Sequence, residues 1–135
     1  MSDVHVHLRV GHERYAMPVE HVLEVASLGV LSAVPGAGSA VLGVRNLQGQ
    51  VLPVFDLARV LSIGGEAATP QVVVAEHHGR LAGLAVDAVT DVGGLAGAVE
   101  ETELEHLSGA VLDDGHLVGI IDVERLFGAL AAQAT

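Results

Sequence analysis

The sequence predicts a mainly β protein built as two small barrels packed together, with short helices after Asp56 and at the C-terminus. Three observations predict it. Short apolar runs, alternating or continuous, recur along the chain between turns rich in Gly and Asp. Half of the 135 residues are hydrophobic, mostly Val, Leu and Ala, and small β-branched residues pack well on pleated surfaces. The chain also repeats itself. The stretch from Gly43 to Leu61 aligns without a gap onto Gly109 to Phe127, with identities at Gly43/Gly109, Gly49/Gly115, Asp56/Asp122 and Arg59/Arg125. Apolar faces apolar at eight further positions, including Val51/Leu117 and Val54/Ile120. An earlier pair, Val19 to Val25 and Val86 to Val92, echoes at nearly the same offset. Two copies are too few for a solenoid, so the repeat predicts two similar halves with a groove between them.

Each element follows from local pattern. His5 to Val10 alternates polar and apolar, the mark of a half-buried strand, and Gly11-His12 turns it into a second strand from Arg14 to Met17. Pro18 opens a turn or a helical turn. Val22 to Leu28 is a third strand, and Pro35 to Ser39 is a loop by composition. Val41 to Leu47 and Gln50 to Phe55 flank Gln48-Gly49 as a hairpin. Asp56 then caps a short helix over 57–61. Ile63 to Pro70 links the halves. The second half follows the same plan, with strands at Gln71 to Glu76, Leu81 to Val86 and Ala88 to Val92. Glu100 to Leu107 is acidic, a short helix or a solvated loop. Ala110 to Leu112 and His116 to Ile121 flank Asp113-Asp114-Gly115, and Asp-Gly signals a type I′ turn. Asp122 caps the last helix, where Val123, Leu126, Phe127 and Leu130 fall at helical spacing. Strands followed by a helix in each half suggest one barrel per half, since closure removes exposed sheet edges.

Bulk properties narrow the function. A chain of this length buries roughly 68% of its unfolded surface, but either half alone is marginal, so the halves are expected to share a core. Six Lys and Arg against 17 Asp and Glu give a formal charge of −11. That disfavours nucleic acid and direct contact with an anionic membrane. There is no Cys, hence neither a disulfide framework nor a thiolate site. The N-terminus lacks the basic and apolar regions of a signal peptide, and no run reaches the ~20 apolar residues of a membrane span. A cytoplasmic protein is the expectation.

A search for chemistry points away from an enzyme. His5 and His7 share a strand face and could chelate a metal, while adjacent His77 and His78 should point to opposite faces. No carboxylate at ligand spacing completes either pair, so solvated histidines are the better reading and no metal is expected. No serine sits in a nucleophile elbow, and neither Gly36-Ala-Gly38 nor Gly64-Gly65 makes a phosphate loop. Asp56 and Asp122 read as helix caps rather than as a catalytic carboxylate pair. What remains is an apolar surface suited to partners.

The segment from Gly43 to Leu57, Gly-Val-Arg-Asn-Leu-Gln-Gly-Gln-Val-Leu-Pro-Val-Phe-Asp-Leu, resembles the signature of CheW-like domains, roughly G-V-x-N-L-R-G-x-x-x-P-V-x-D-L. Gly11 to Val25 resembles that family's opening strands, Leu84 to Val92 its G-x-x-V-D-x-V-x-D/E-V segment, and Val118 to Phe127 its closing strand and helix. The resemblance covers nearly the whole chain. It implies two five-stranded, SH3-like barrels around a shared core. It also implies one CheW-like domain over 1–135, with repeat halves at about 1–64 and 70–127 and a C-terminal helix over 122–134. It further implies a cytoplasmic adaptor without cofactor that couples chemoreceptors to a CheA-type histidine kinase in membrane-associated chemosensory arrays. One face would bind the kinase regulatory domain, and the groove between barrels would bind the cytoplasmic tip of a chemoreceptor.

Carried over by position, the receptor groove comprises Val22, Glu24, Gly43, Asn46, Gln48, Val72 and Val92, and the kinase face Leu31, Val34 and Val51. Each valine has a second reading as barrel core, and Asn46 with Gly49 a second reading as turn formers. Two positions depart from the family. Gln48 replaces the signature Arg and lacks its charge and rigid donor fork. That predicts altered receptor binding and motivates the alternative of an accessory CheW-like protein in a competing or non-chemotaxis pathway. Gly38 stands where the family usually has Pro, which predicts a more mobile loop.

Overall fold

Alternating segments become strands wherever a turn follows that can fold them back. In the computed structural model, which describes residues 3–63 and 70–133, ten strands and two helices succeed one another. The first run is β1 (His5–Val10), β2 (Glu13–Pro18), a 3₁₀ turn (Val19–His21) and β3 (Val22–Ser27). Next come β4 (Val41–Leu47), β5 (Gln50–Asp56) and α1 (Leu57–Val60). The second run is β6 (Gln71–His77), β7 (Arg80–Val86), β8 (Ala88–Gly93), β9 (Leu107–Asp113), β10 (His116–Ile121) and α2 (Val123–Gln133). Three hairpins turn on a residue pair with both φ angles positive: Gln48-Gly49, His78-Gly79 and Asp114-Gly115. That is the type I′ requirement, and glycine fills the second position each time. Most of the expected link from Ile63 to Pro70, like the chain ends at 1–2 and 134–135, lies outside the described residues.

The strands form two five-stranded sheets, β8-β1-β2-β10-β9 and β3-β6-β7-β5-β4, here called sheet A and sheet B. The expectation of one barrel per sequence half is corrected by this order. Sheet A joins the first hairpin of the chain to the last three strands. Sheet B joins the hairpin β6-β7 to β3, β4 and β5. The two repeats thus exchange their opening hairpins, and each exchange is sealed by a parallel pair. Val54 faces Gly83 across β5 and β7, and Ile120 faces Ala16 across β10 and β2. These partners are repeat equivalents, so the register is kept as well as the order.

Both sheets turn one face to a common core. Val6, Leu8, Val10 and Met17 of sheet A meet Phe55, Val73, Leu84 and Val86 of sheet B, together with Leu57 of α1 and Leu126, Phe127 and Leu130 of α2. Sheet B has a second apolar face, where Leu52, Val54, Val72, Val74 and Ala85 pack with Leu28, Leu31, Leu47 and Leu81. Sheet A's second cluster is smaller: Ala16, Val111 and Val118 with Leu95. A sheet with two apolar faces must cover the second by its own curvature and flanking segments, as small barrels do.

The four repeat identities each have a local cause. Gly43 and Gly109 are crossed by an incoming segment, through the bridges Ser32–Val44 and Glu100–Ala110. A Cβ on Gly43 would stand 2.7 Å from the Ser32 carbonyl oxygen, and one on Gly109 2.6 Å from Val99. Gly49 and Gly115 make the I′ turns. Asp56 accepts from the Ala58 amide at 3.1 Å and Asp122 from the Arg125 amide at 3.1 Å, so both are helix caps as expected. Arg59 and Arg125 then pair with those carboxylates at 3.5 and 3.6 Å. The acidic stretch from Glu100 is largely exposed and contains no helix, only the bridge at Glu100. Among the described residues no helix is long and apolar enough to cross a membrane.

Candidate docking surfaces

Among the described residues no group of three or more His, Asp or Glu is arranged to hold a metal ion. His7 instead bonds the Gly93 carbonyl at 3.2 Å and His5 that of Asp3 at 3.1 Å. His77 and His78 do not diverge as a regular strand requires. Their rings are 4.2 Å apart because His78 leaves β6 with φ +51 and enters the turn. His77 also lies against His21 and Phe127.

The residues assigned to the receptor groove separate into four groups. Glu24 and Gln48 are exposed and line one cleft of 390 Å³ with Leu23, Leu47, Gln50 and Leu81. Glu24 has no ion-pair partner there among the described residues. Val22, half-buried against the common core, lies on β3, and Val92, 57% exposed, lies on β8; these are outer strands of opposite sheets. Val72 and Gly43 are buried and are corrected from contact residues to framework. Val72 has 0% exposure inside sheet B's own cluster, because β6 is apolar on both faces. Gly43 lies under Leu31 and Ser32. Asn46 is exposed, but its Oδ1 accepts the Gly49 amide at 2.9 Å, which makes it a turn former.

On the kinase side, Val51 is 70% exposed on β5 and Val34 is exposed in the loop that follows β3. Leu31 is half-buried and helps to cover sheet B's cluster. Ser32 bridges Val44, and Val44 faces Pro53, so the Leu31–Val34 segment runs beside β4 with β5 on its other side. Strand spacing puts that segment and β5 about 10 Å apart. Gly38 is not slack. Its amide, which a proline would lack, donates to the Gln133 carbonyl at the end of α2 at 3.0 Å.

The sequence reading missed two exposed features. Val30, 93% exposed, is the most solvated large apolar residue among those described. Leu117 is 68% exposed and sits directly across from exposed Leu112. Its repeat alignment with Val51 was the available signal. Sheet A also carries a polar cleft of 530 Å³ whose lining includes His7, Arg14, Asp91, Asp113 and His116. Repeat counterparts of two of these, Val74 for His7 and Leu47 for Asp113, help to fill sheet B. The single tyrosine, Tyr15, borders it, and burial, with Glu13 adding to it, pushes its phenol up to about 12.

The sequence profile of the CheW-like domain family matches residues 5–131. This chain belongs to that family. The probable chemotaxis protein CheW of Rhizobium etli is 27% identical to it over 136 residues, covering 93% of this chain and 88% of the relative. CheW of Rhizobium meliloti is 29% identical, over 88% and 83%. FrzA of Myxococcus xanthus is 48% identical over a shorter stretch of 56 residues, 42% of this chain and 35% of FrzA. Among solved structures, the scaffolding protein TtCheW from Thermoanaerobacter tengcongensis superposes with a TM-score of 0.83 at 27% identity, over 94% of this chain and 88% of that one. The two packed five-stranded sheets are therefore the CheW-like fold, and the chain is related to chemotaxis coupling scaffolds.

Proposed function

We infer that this protein is a cytoplasmic scaffold that couples chemoreceptor tips to the regulatory domain of a CheA-type histidine kinase, recruited to receptor arrays and performing no catalysis itself. The observation that supports it most is Val51, 70% exposed on β5 of an otherwise well-filled sheet. An exposed valine on β5, one strand removed from the Leu31–Val34 segment, suits a partner surface, not a reaction. For the receptor side, the reading rests on Val22, Glu24, Gln48 and Val92, with Asn46 shaping the turn beside Glu24. The accessory-protein alternative is not favoured, since the relatives covering most of the chain are chemotaxis CheW proteins.

Titration calorimetry with the kinase regulatory domain and with a receptor-tip fragment from the same organism tests this. The expected result is saturable heat with both, loss of the kinase signal in Val51→Asp, and tighter receptor binding in Gln48→Arg, which sets a cation beside Glu24. Absence of binding to both partners overturns the reading.

A further inference from the structure

Arg45 spends its charge on main chain. Arg9, Arg59 and Arg125 each pair with an aspartate, whereas Arg45 has no ion pair among the described residues despite the large acidic excess. Its Nη1 donates to the Ser27 carbonyl at 2.9 Å and to the Leu28 carbonyl at 3.1 Å. Ser27 ends β3 and Leu28 follows it, just where the chain leaves the sheet. The next residue is Gly29, at φ +69, and a Cβ built there would lie 3.2 Å from the same Nη1 and 3.4 Å from Cζ. The guanidinium therefore lies against bare backbone, and the positive φ of Gly29 favours glycine there. Beyond it come Val30, almost wholly exposed, and then Leu31, tucked against sheet B's cluster. The bridge follows, with the Ser32 amide donating to Val44 at 2.8 Å and the Val44 amide to Ser32 at 2.9 Å. A three-residue span is thus pinned before Val30 by Arg45 and after it by the bridge.

Val30 does no work inside the molecule. A mobile loop would hold such a residue in many positions, and ordering it on contact would cost affinity. Here the order is already built. We propose that Val30 is a contact residue of the kinase-facing surface and that Arg45 is the positioning residue that holds it out, through the Ser27 and Leu28 carbonyls. This rests on the reading of the Leu31, Val34 and Val51 side as the face for the kinase regulatory domain. Lysine cannot replace Arg45 fully, because a tetrahedral ammonium cannot lie flat against Gly29 as the planar guanidinium does.

The test is calorimetry of full-length variants against the regulatory domain and against the receptor-tip fragment, with amide hydrogen exchange on the free proteins. Val30→Ser should weaken kinase binding about tenfold with an unchanged melting temperature. Arg45→Ala should speed exchange of the Ser32 and Val44 amides. It should also weaken kinase binding about tenfold, as expected if the competent loop falls to about a tenth of the population, and leave receptor binding unaltered. Arg45→Lys should recover part of both. Unchanged exchange in Arg45→Ala overturns the positioning role. Wild-type kinase affinity in Val30→Ser, alongside loss of binding in Val51→Asp, overturns the contact role while the kinase-face reading stands. If Val51→Asp also binds normally, the reading itself fails and this inference falls with it.

Discussion

The amide of Gly38 donates a 3.0 Å hydrogen bond to the carbonyl oxygen of Gln133, tying the loop before β4 to the last turn of α2. A Cβ at position 38 would meet the Gln133 carbonyl oxygen at 3.0 Å and press on its side-chain oxygen. Gly38→Pro removes the donor and adds the bulk. It should cost about 1–3 kcal/mol, from one lost bond plus crowding, read as a lower midpoint in urea. Gln133→Ala in the same background should recover the crowding part only. A midpoint unchanged in Gly38→Pro would mean the latch contributes nothing.

The paired caps offer an internal control. Asp56→Ala and Asp122→Ala should each lower stability by about 1 kcal/mol. Asparagine at either site keeps an acceptor for the Ala58 or Arg125 amide and loses only the exposed ion pair with Arg59 or Arg125. It should therefore stay within about 0.5 kcal/mol of the parent. Denaturant melts of the four single variants separate cap from charge.

Val72 and Val51 should respond in opposite ways. Val72→Ala opens a void in sheet B's filled cluster and should cost about 1–3 kcal/mol. Val51→Ala, on the solvated face, should lie within about 0.5 kcal/mol of the parent. Thermal melts of both variants, run beside binding to the kinase regulatory domain, check the division. A Val72→Ala protein as stable as the parent would put that residue back among the contact candidates.

Tyr15 sets an alkaline limit. Its phenol titrates near 12 in the folded protein and near 10 when unfolded, mainly through burial and then through Glu13. The folded state therefore holds the proton more tightly. The stability this represents is complete below about pH 10 and is lost as pH rises from there through 12. Tyr15→Phe should flatten that fall. Because the chain has one tyrosine and no tryptophan, phenolate absorbance of the parent follows this group alone. A midpoint near 10 in the folded protein would contradict the half-buried placement.

The strands were legible because alternation and turn chemistry are local. β1, β4 and β10 fall where the pattern put them, and the Asp114-Gly115 turn has the backbone that its residues demanded. The start of β9 was missed. Strand pairing begins at Leu107, through Ser108 and Gly109, where a side-chain pattern is interrupted by a glycine kept bare for the crossing segment at Val99 and Glu100. Partner choice between strands was not legible at all. An apolar run states that it is buried, not against which neighbour, and so the exchanged hairpins went unseen. The site suffered from the same limit. Val72 belongs to the run Val72-Val73-Val74-Ala75, buried on both faces, where period-two reasoning cannot tell core from surface. Nothing in the residues around Gly38 states that its amide donates to the end of α2, since that partner lies far along the chain.

The exchanged hairpins bear on how the chain reaches its native state. β1 and β2 are made before the other described strands, yet the strands that flank them, β8 and β10, are made much later. Until His116–Ile121 has been made, the opening hairpin has no parallel neighbour, and one side of the common core stays open. Contacts that span nearly the whole sequence make for slow, late closure. The molecule is thus expected to assemble after synthesis in a single cooperative step, and a chain cut short before β10 forms no half-sized scaffold that could occupy a partner unproductively.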